Sequence, residues 1–392
     1  MGMRKLNKVY CIFSAQYLPH MGGVENYTYN LAKKLVEKNK RVIIVTLNTA
    51  DAKSYEKKDG VEIFRFPCYN FIGGRYPIAK KGKEYQKLFA IFKERNIDYI
   101  IVNTRFYLHS LFAVKYAQQK RIPSIVIEHG TSHLSVNNAI FDKVGAIWEH
   151  FLTSRVKKYC NQYYGVSLAC CKWLQHFGIE GKGALYNALD FTMIEKLKKN
   201  VSRDAFCQRY HIPIGATIIA FTGRFIEEKG IKPLITAVKR VQEEYGNVYL
   251  CLAGMGPLED YIKNNVEDKI ILLGKLNSQQ IIELLVSSDI YCLPSASEGF
   301  STAVLEAAAC KAYIITTKRG GSVELISSDD YGKIIDRNSE DFIVDALKES
   351  IADVTRRKKA VDATYLKVQQ NFTWENTVED VIKVFEENNK TL

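Results

Sequence analysis

Short runs of apolar residues alternate along this chain with longer segments in which apolar side chains recur every third or fourth position. Runs at 9–13, 42–46, 97–102, 124–128 and 163–166 read as strands, and a second series follows at 218–222, 249–253, 270–273, 290–293 and 313–316. Strands apolar along their whole length are buried on both faces. Their alternation with amphipathic helices is the pattern of parallel sheets joined by right-handed crossovers. The expected fold class is therefore α/β, with two doubly wound domains. Between the two series, at 187–202, the strand pattern lapses into a charged helical stretch from Ile194 to Lys199, which reads as a linker. Near the end, within 372–389, Trp374, Val378, Val381, Ile382 and Phe385 form a helical stripe that calls for burial against a neighbouring surface.

Composition fits this picture. The 392 residues are 47% apolar and 25% charged, enough for two ordinary globular domains. The nine cysteines are odd in number and contain no Cys-x-x-Cys spacing, so they read as buried thiols in a reducing compartment. The first apolar run is too short for a signal peptide, and no stretch approaches the roughly 18 apolar residues of a spanning helix. Leu6 stands where a myristoylation signal after Met1-Gly2 wants Ser or Thr. A cytoplasmic location is expected. The net charge of +12 is uneven: residues 1–190 hold 29 Lys+Arg against 14 Asp+Glu, and residues 191–392 hold 26 against 29. A basic half suits nucleic acid, anionic lipid or a phosphorylated substrate, and without a nucleic-acid-binding signature nucleic acid ranks last.

In open parallel sheets ligands gather beyond the carboxyl ends of the strands, so those turns hold the candidate chemistry. After the first strand, Gly22-Gly23-Val24 opens a helix and lets backbone amides approach a ligand; a plain tight turn is the alternative. After the fourth, Glu128-His129-Gly130 offers an imidazole for a sugar hydroxyl, or a structural histidine. In the second series, Arg224 and Lys229 bracket a strand-to-helix turn. Together they can neutralise a diphosphate, or they balance Glu227 and Glu228. Gly254-Met255-Gly256-Pro257 turns into a helix expected to start at Pro257 and can wall a base pocket, as can Lys275 after the next strand; plain structural turns are the alternative for both. Glu298 and Glu306 straddle a helix start that Ser301 or Thr302 can cap. Cations at one helix mouth and carboxylates beside another suggest a nucleotide sugar.

As an ordered set, Gly22-Gly23-Val24-Glu25, Glu128-His129-Gly130, Asn187-Ala188-Leu189-Asp190, Gly223-Arg224, Lys229-Gly230, Gly254-Met255-Gly256-Pro257, Glu298-Gly299-Phe300-Ser301 and Glu306-Ala307 resemble the retaining glycosyltransferases of family 4, of the type that builds bacterial surface polysaccharides. The resemblance implies the GT-B architecture: two Rossmann-like domains facing a cleft, the acceptor mainly on residues 1–190, the donor mainly on 191–371, and a last helix at 372–389 crossing back to the first. It implies that Arg224 and Lys229 bind the donor diphosphate, Glu306 the ribose and Glu298 the transferred sugar, with the amides of Phe300, Ser301 and Thr302 nearby. It further implies His129 at the reaction centre and Gly22 and Gly23 on the floor between diphosphate and acceptor. One departure is visible, since Asn187-Ala188-Leu189-Asp190 stands where the family usually reads Asn-Gly-Val-Asp.

No Asp-x-Asp triplet is present, which agrees with a metal-independent reaction that needs no cofactor beyond the nucleotide-sugar co-substrate. The acceptor is expected to be a glycan or a polyprenyl-diphosphate-linked saccharide, met at the inner face of the plasma membrane. Two segments mix aromatics with cations as interfacial segments do. One is 68–77 with Gly73, leading to Lys80, Lys81, Lys83 and Lys87; the other runs from Phe141 through Trp148 and Phe151 to Arg155, Lys157 and Lys158. Core aromatics beside a solvated basic face are the alternative for both. A sugar-nucleotide epimerase and a non-catalytic partner subunit are the rival functions.

Overall fold

The computed structural model describes residues 7–72, 74–134 and 138–388. Met1, Gly2, Leu6, Gly73 and Asn389, which enter the expectations above, lie outside the described residues. The chain forms two compact units. One runs to Asn187 and resumes at Trp374, and the other is Ala188–Thr373.

The first unit is built on the strands β1 (Val9–Phe13), β2 (Arg41–Leu47), β3 (Tyr55–Lys58), β4 (Val61–Phe66), β5 (Cys68–Phe71), β6 (Tyr76–Ala79), β7 (Tyr99–Asn103), β8 (Ser124–Glu128) and β9 (Tyr163–Gly165). The main sheet has the order β3-β4-β2-β1-β7-β8-β9, and β5 and β6 make a separate antiparallel pair. Every residue of β1 and β7 is buried, as the continuous apolar runs require of strands covered on both faces, and β4 is buried throughout although it carries Glu62 and Arg65. The sheet is parallel except for β3, which turns back on β4 through Asp59-Gly60. Both turn residues have positive φ, 51° and 79°, the twist a two-residue hairpin needs. The helix Trp374–Asn388 belongs to this unit: Trp374 packs edge-on to Tyr27 at 5.1 Å, and Phe385 stacks on Tyr99 at 4.6 Å.

The second unit carries β10 (Thr217–Thr222), β11 (Val248–Ala253), β12 (Ile270–Gly274), β13 (Ile290–Leu293), β14 (Tyr313–Thr317) and β15 (Lys333–Ile335), all parallel, in the order β12-β11-β10-β13-β14-β15. The chain winds outward from β10 to β12, then restarts at β13 on the other side. That reversal opens a crevice at the carboxyl ends of β10 and β13. The first unit has the same reversal between β1 and β7. All nine cysteines are free thiols, seven of them buried. Among the described residues no helix is long and apolar enough to cross a membrane.

Candidate active site

In the second unit the loops leaving β10 and β13 meet at the crevice. The first contains Gly223, Arg224 and a 3-10 turn, Glu227–Lys229, ahead of the helix Ile231–Tyr245. The second contains Ser295 to Ser301 and leads into the helix Thr302–Ala309. A backbone bond from the Ala296 amide to the Glu228 carbonyl, 2.8 Å, pins one loop to the other. Gly230 makes the approach possible. It sits in the left-handed region at φ 68°, and a Cβ there would lie 2.2 Å from the Pro294 carbonyl oxygen.

The Lys229 ammonium donates to Glu298 Oε1, which also accepts from Ser295 Oγ at 3.0 Å. Lys229 is thus not a free cation: a carboxylate 69 positions away holds it, with side-chain exposures of only 19% and 13%. The Arg224 guanidinium is different. It is exposed and makes no ion pair or hydrogen bond among the described residues. Below them Tyr291 of β13 shares a hydrogen bond with Thr222 Oγ1 at 3.1 Å. Burial, and after it the Glu306 and Glu298 carboxylates, keep its phenol well above the usual range. Glu306 is half-buried beside the fully packed Ala307–309 stretch, and burial pushes its carboxyl up to about 7.

The turns beside this centre are held by glycine. Gly254 donates to the Gly274 carbonyl at 2.9 Å, which sets Lys275, exposed and unpaired among the described residues, next to the glycine turn. A Cβ on Gly254 would fall 1.8 Å from the Gly223 carbonyl oxygen, and one on Gly256 2.5 Å from that of Phe225. The expected helix start at Pro257 is corrected: the helix is Glu259–Lys263, because the Leu258 amide is taken by the Phe225 carbonyl and the chain must first leave that contact. Ser301 is the N-cap residue of Thr302–Ala309, but its side chain makes no capping bond. The first amides of that helix are thus without a side-chain cap. The Phe300 ring is packed against Phe372 at 5.1 Å. Gly320 and Gly321, which sequence reasoning passed over, support this loop. A Cβ on Gly320 would lie 2.6 Å from the Glu298 carbonyl oxygen, and one on Gly321 would meet the Phe300 ring at the same distance. A Gly-Gly pair two residues beyond a strand was the available signal.

Gly22, Gly23 and His129 belong to the first unit. Gly22 precedes the helix Gly23–Glu37 in extended backbone, and a Cβ there would meet Glu25 Oε2 at 2.4 Å. His129 follows β8, with its ring edge-on to Tyr27 of that helix at 4.9 Å. Asn103 donates through Nδ2 to Thr28 Oγ1 at 2.7 Å, so its Oδ1 accepts from His129 Nε2 at 3.0 Å. That assignment leaves Nδ1 as an acceptor. Burial drives the imidazole down to about 3, so at neutral pH it is an uncharged hydrogen-bonding group. The His129 and Gly130 amides both donate to Glu128 Oε1 at 3.1 Å, and Glu128 pairs through its other oxygen with the buried Arg105. Arg105 and Glu149, also missed from sequence, complete this support at 3.2 Å. The first unit also holds a cavity of about 700 Å³ beside the loop after β1, lined by Tyr17, Met21, Tyr29, Lys33, Lys53 and Arg65 among others.

Glycosyltransferase Family 4 matches residues 21–188, and Glycosyl transferases group 1 matches residues 202–367. An uncharacterised glycosyltransferase of Methanocaldococcus jannaschii is 23% identical, with 98% of this chain and 99% of that protein covered. The phosphatidylinositol N-acetylglucosaminyltransferase gpi3 subunit of Schizosaccharomyces pombe is 24% identical, with 94% and 78% covered. The structure of Anabaena HepE in complex with UDP-glucose superposes with a TM-score of 0.71 at 16% identity, covering 98% of this chain and 100% of that one, which makes the fold GT-B. With one family model on each Rossmann-like unit and relatives aligned along nearly the whole length, the chain belongs to the family 4 glycosyltransferases.

Proposed function

We propose that this glycosyltransferase moves a hexose-type sugar, with retention and without a metal at the phosphates, from a nucleoside-diphosphate sugar to a hydroxyl of a glycan or polyprenyl-diphosphate-linked saccharide, in cell-surface polysaccharide assembly at the inner face of the plasma membrane. The observation that carries the donor half is the crevice between β10 and β13: an unpaired guanidinium, an ammonium held by a carboxylate, uncapped helix amides and a second carboxyl that burial pushes upward.

Arg224 binds the diphosphate, and Lys229 turns from Glu298 to share it. This frees the Glu298 carboxylate for the hydroxyls of the transferred sugar. Glu306 accepts from the ribose hydroxyls once ionised. As the acceptor oxygen forms its bond to the anomeric carbon, the bond from that carbon to the phosphate breaks and its electron pair passes to the leaving phosphate. The acceptor proton goes to a phosphate oxygen on the same face. His129 holds a sugar hydroxyl through Nδ1, and being neutral it adds no charge there. No resident cofactor is needed in this scheme.

For the acceptor, the helix Ala139–Val156 is the supporting observation. Ile140, Phe141, Val144 and Ile147 are 74%, 67%, 60% and 71% exposed, and Trp148 and Phe151 extend the same stripe. The expected alternative of core aromatics does not hold there, and Tyr69, Phe71 and Ile72 of the small hairpin are exposed as well. An apolar stripe on a basic unit suits an anionic bilayer that presents a lipid-linked acceptor. The gpi3 relative is named for a phosphatidylinositol acceptor, which favours a lipid; it is also named a subunit, which favours the second reading, a partner subunit.

A thermal-shift screen across nucleotide sugars, followed by product analysis, tests the proposal. The expected result is stabilisation by one donor and its slow hydrolysis, lost in Arg224→Ala and Glu298→Ala. A free isomerised nucleotide sugar as product would establish an epimerase, and absence of donor binding would leave the subunit reading.

A further inference from the structure

Outside the crevices, three of the seven histidines of the chain converge on one point of the first unit. His133 lies in the loop after β8, His150 on the helix Ala139–Val156 and His176 in the 3-10 turn Gln175–Phe177. One ring nitrogen from each lies within 4.8 Å of the other two, on a side open to solvent. His150 Nε2 and His176 Nε2 are 3.1 Å apart. Two imidazoles on a tetrahedral zinc ion, with bonds of about 2.0–2.1 Å, stand about 3.4 Å apart, so a small relaxation admits an ion between them.

The surroundings are those of a built ligand set. His133 Nδ1 is 2.9 Å from Glu149 Oε2, and the Leu134 amide fixes the other oxygen of that buried carboxylate at 2.8 Å. A carboxylate on one ring nitrogen orients the other, here Nε2, as a ligand and raises its basicity. His176 stacks on Trp173 at 4.7 Å and 9°, and His150 packs on Phe177 at 4.6 Å, so two more rings are held in place. The nearby Arg105 charge is offset by Glu128 and Glu149.

We propose that His133, His150 and His176 bind one divalent transition-metal ion, zinc by the preference of imidazole donors, with the fourth position left to water. The ion would clip the loop that follows His129, the helix with the exposed apolar stripe and the 3-10 turn into one body. The proposal is independent of the donor chemistry, since none of the three residues lies in the second unit.

The test uses untagged full-length protein stripped with chelator and titrated with cobalt(II), then zinc. One cobalt per chain with a tetrahedral visible band, displaced by zinc, is expected, together with a zinc-dependent rise in melting temperature. His176→Phe keeps the stack on Trp173 but removes the nitrogens, and should weaken binding by more than about 100-fold. His211→Ala, in the other unit, should leave it unchanged. Absence of the band in excess cobalt, or a band of equal strength in the His150→Ala/His176→Phe double variant, overturns the proposal and leaves a plain histidine-histidine hydrogen bond.

Discussion

Glu306 couples the stability of the second unit to pH in the direction opposite to most carboxylates. Its carboxyl ionises at about 4.5 when unfolded and at about 7 in the fold, because burial penalises the charge. Below 4.5 it is protonated in both states and costs nothing. As pH rises toward 7 the unfolded chain releases its proton first, so stability falls across that window and stays low above it. The gap of about 2.5 pH units corresponds to roughly 3 kcal/mol, a ceiling because partial exposure screens the charge. Glu306→Gln keeps the shape and removes the titration. Against wild type it should gain nothing at pH 4.5 and, for a domain of this size, about 6–12 °C of melting temperature at pH 8. Donor binding should move the other way, falling roughly 10- to 100-fold as a charged acceptor is lost. Differential scanning fluorimetry across pH 4.5 to 8, with donor titrations at pH 8, reads both. Melting curves whose difference does not vary with pH would refute the burial argument, and undiminished donor affinity would refute the ribose role.

Further outcomes follow from the same geometry. Arg224→Ala removes an exposed, unpaired guanidinium, so the melting temperature should hold while donor turnover falls roughly 100- to 1,000-fold in a coupled phosphate assay. Gly254→Ala drives a methyl into the Gly223 carbonyl and should cost at least about 2 kcal/mol in urea unfolding, with donor binding lost alongside. Ile147→Glu on the apolar stripe should leave the fold intact and reduce flotation with anionic liposomes about tenfold or more; unchanged flotation would remove the docking face. Donor hydrolysis by the His150→Ala/His176→Phe variant, which has no metal clip to lose, should continue in chelator, and its loss there would mean that a divalent ion and not Arg224 and Lys229 meets the leaving phosphate.

The long apolar strands were legible because period and burial coincide: β1, β8 and β13 begin and end where the pattern does. The β3–β4 hairpin was not, although Asp59-Gly60 is a strong turn signal, because β4 carries Glu62 and Arg65 where burial calls for apolar residues. Their charges are satisfied outside β4, Glu62 by Arg95 at 2.7 Å and Arg65 by Glu56 of β3 at 2.6 Å. The same limit applies to chemistry. Motifs mark which turns matter, but the Lys229–Glu298 pair and the Arg105 cluster join residues far apart in the chain, and only the sheet order brings them together.

The return of Trp374–Asn388 to the first unit has a consequence for how the molecule is born. Domains usually fold in the order in which they leave the ribosome. Here Trp374, Val378, Val381 and Phe385, all fully covered, are synthesised only after the whole of the second unit, and Tyr10, Tyr27 and Tyr99 wait for them. The second unit can finish while the first still exposes an aromatic patch, so a nascent chain halted short of Trp374 is the species most in need of a chaperone.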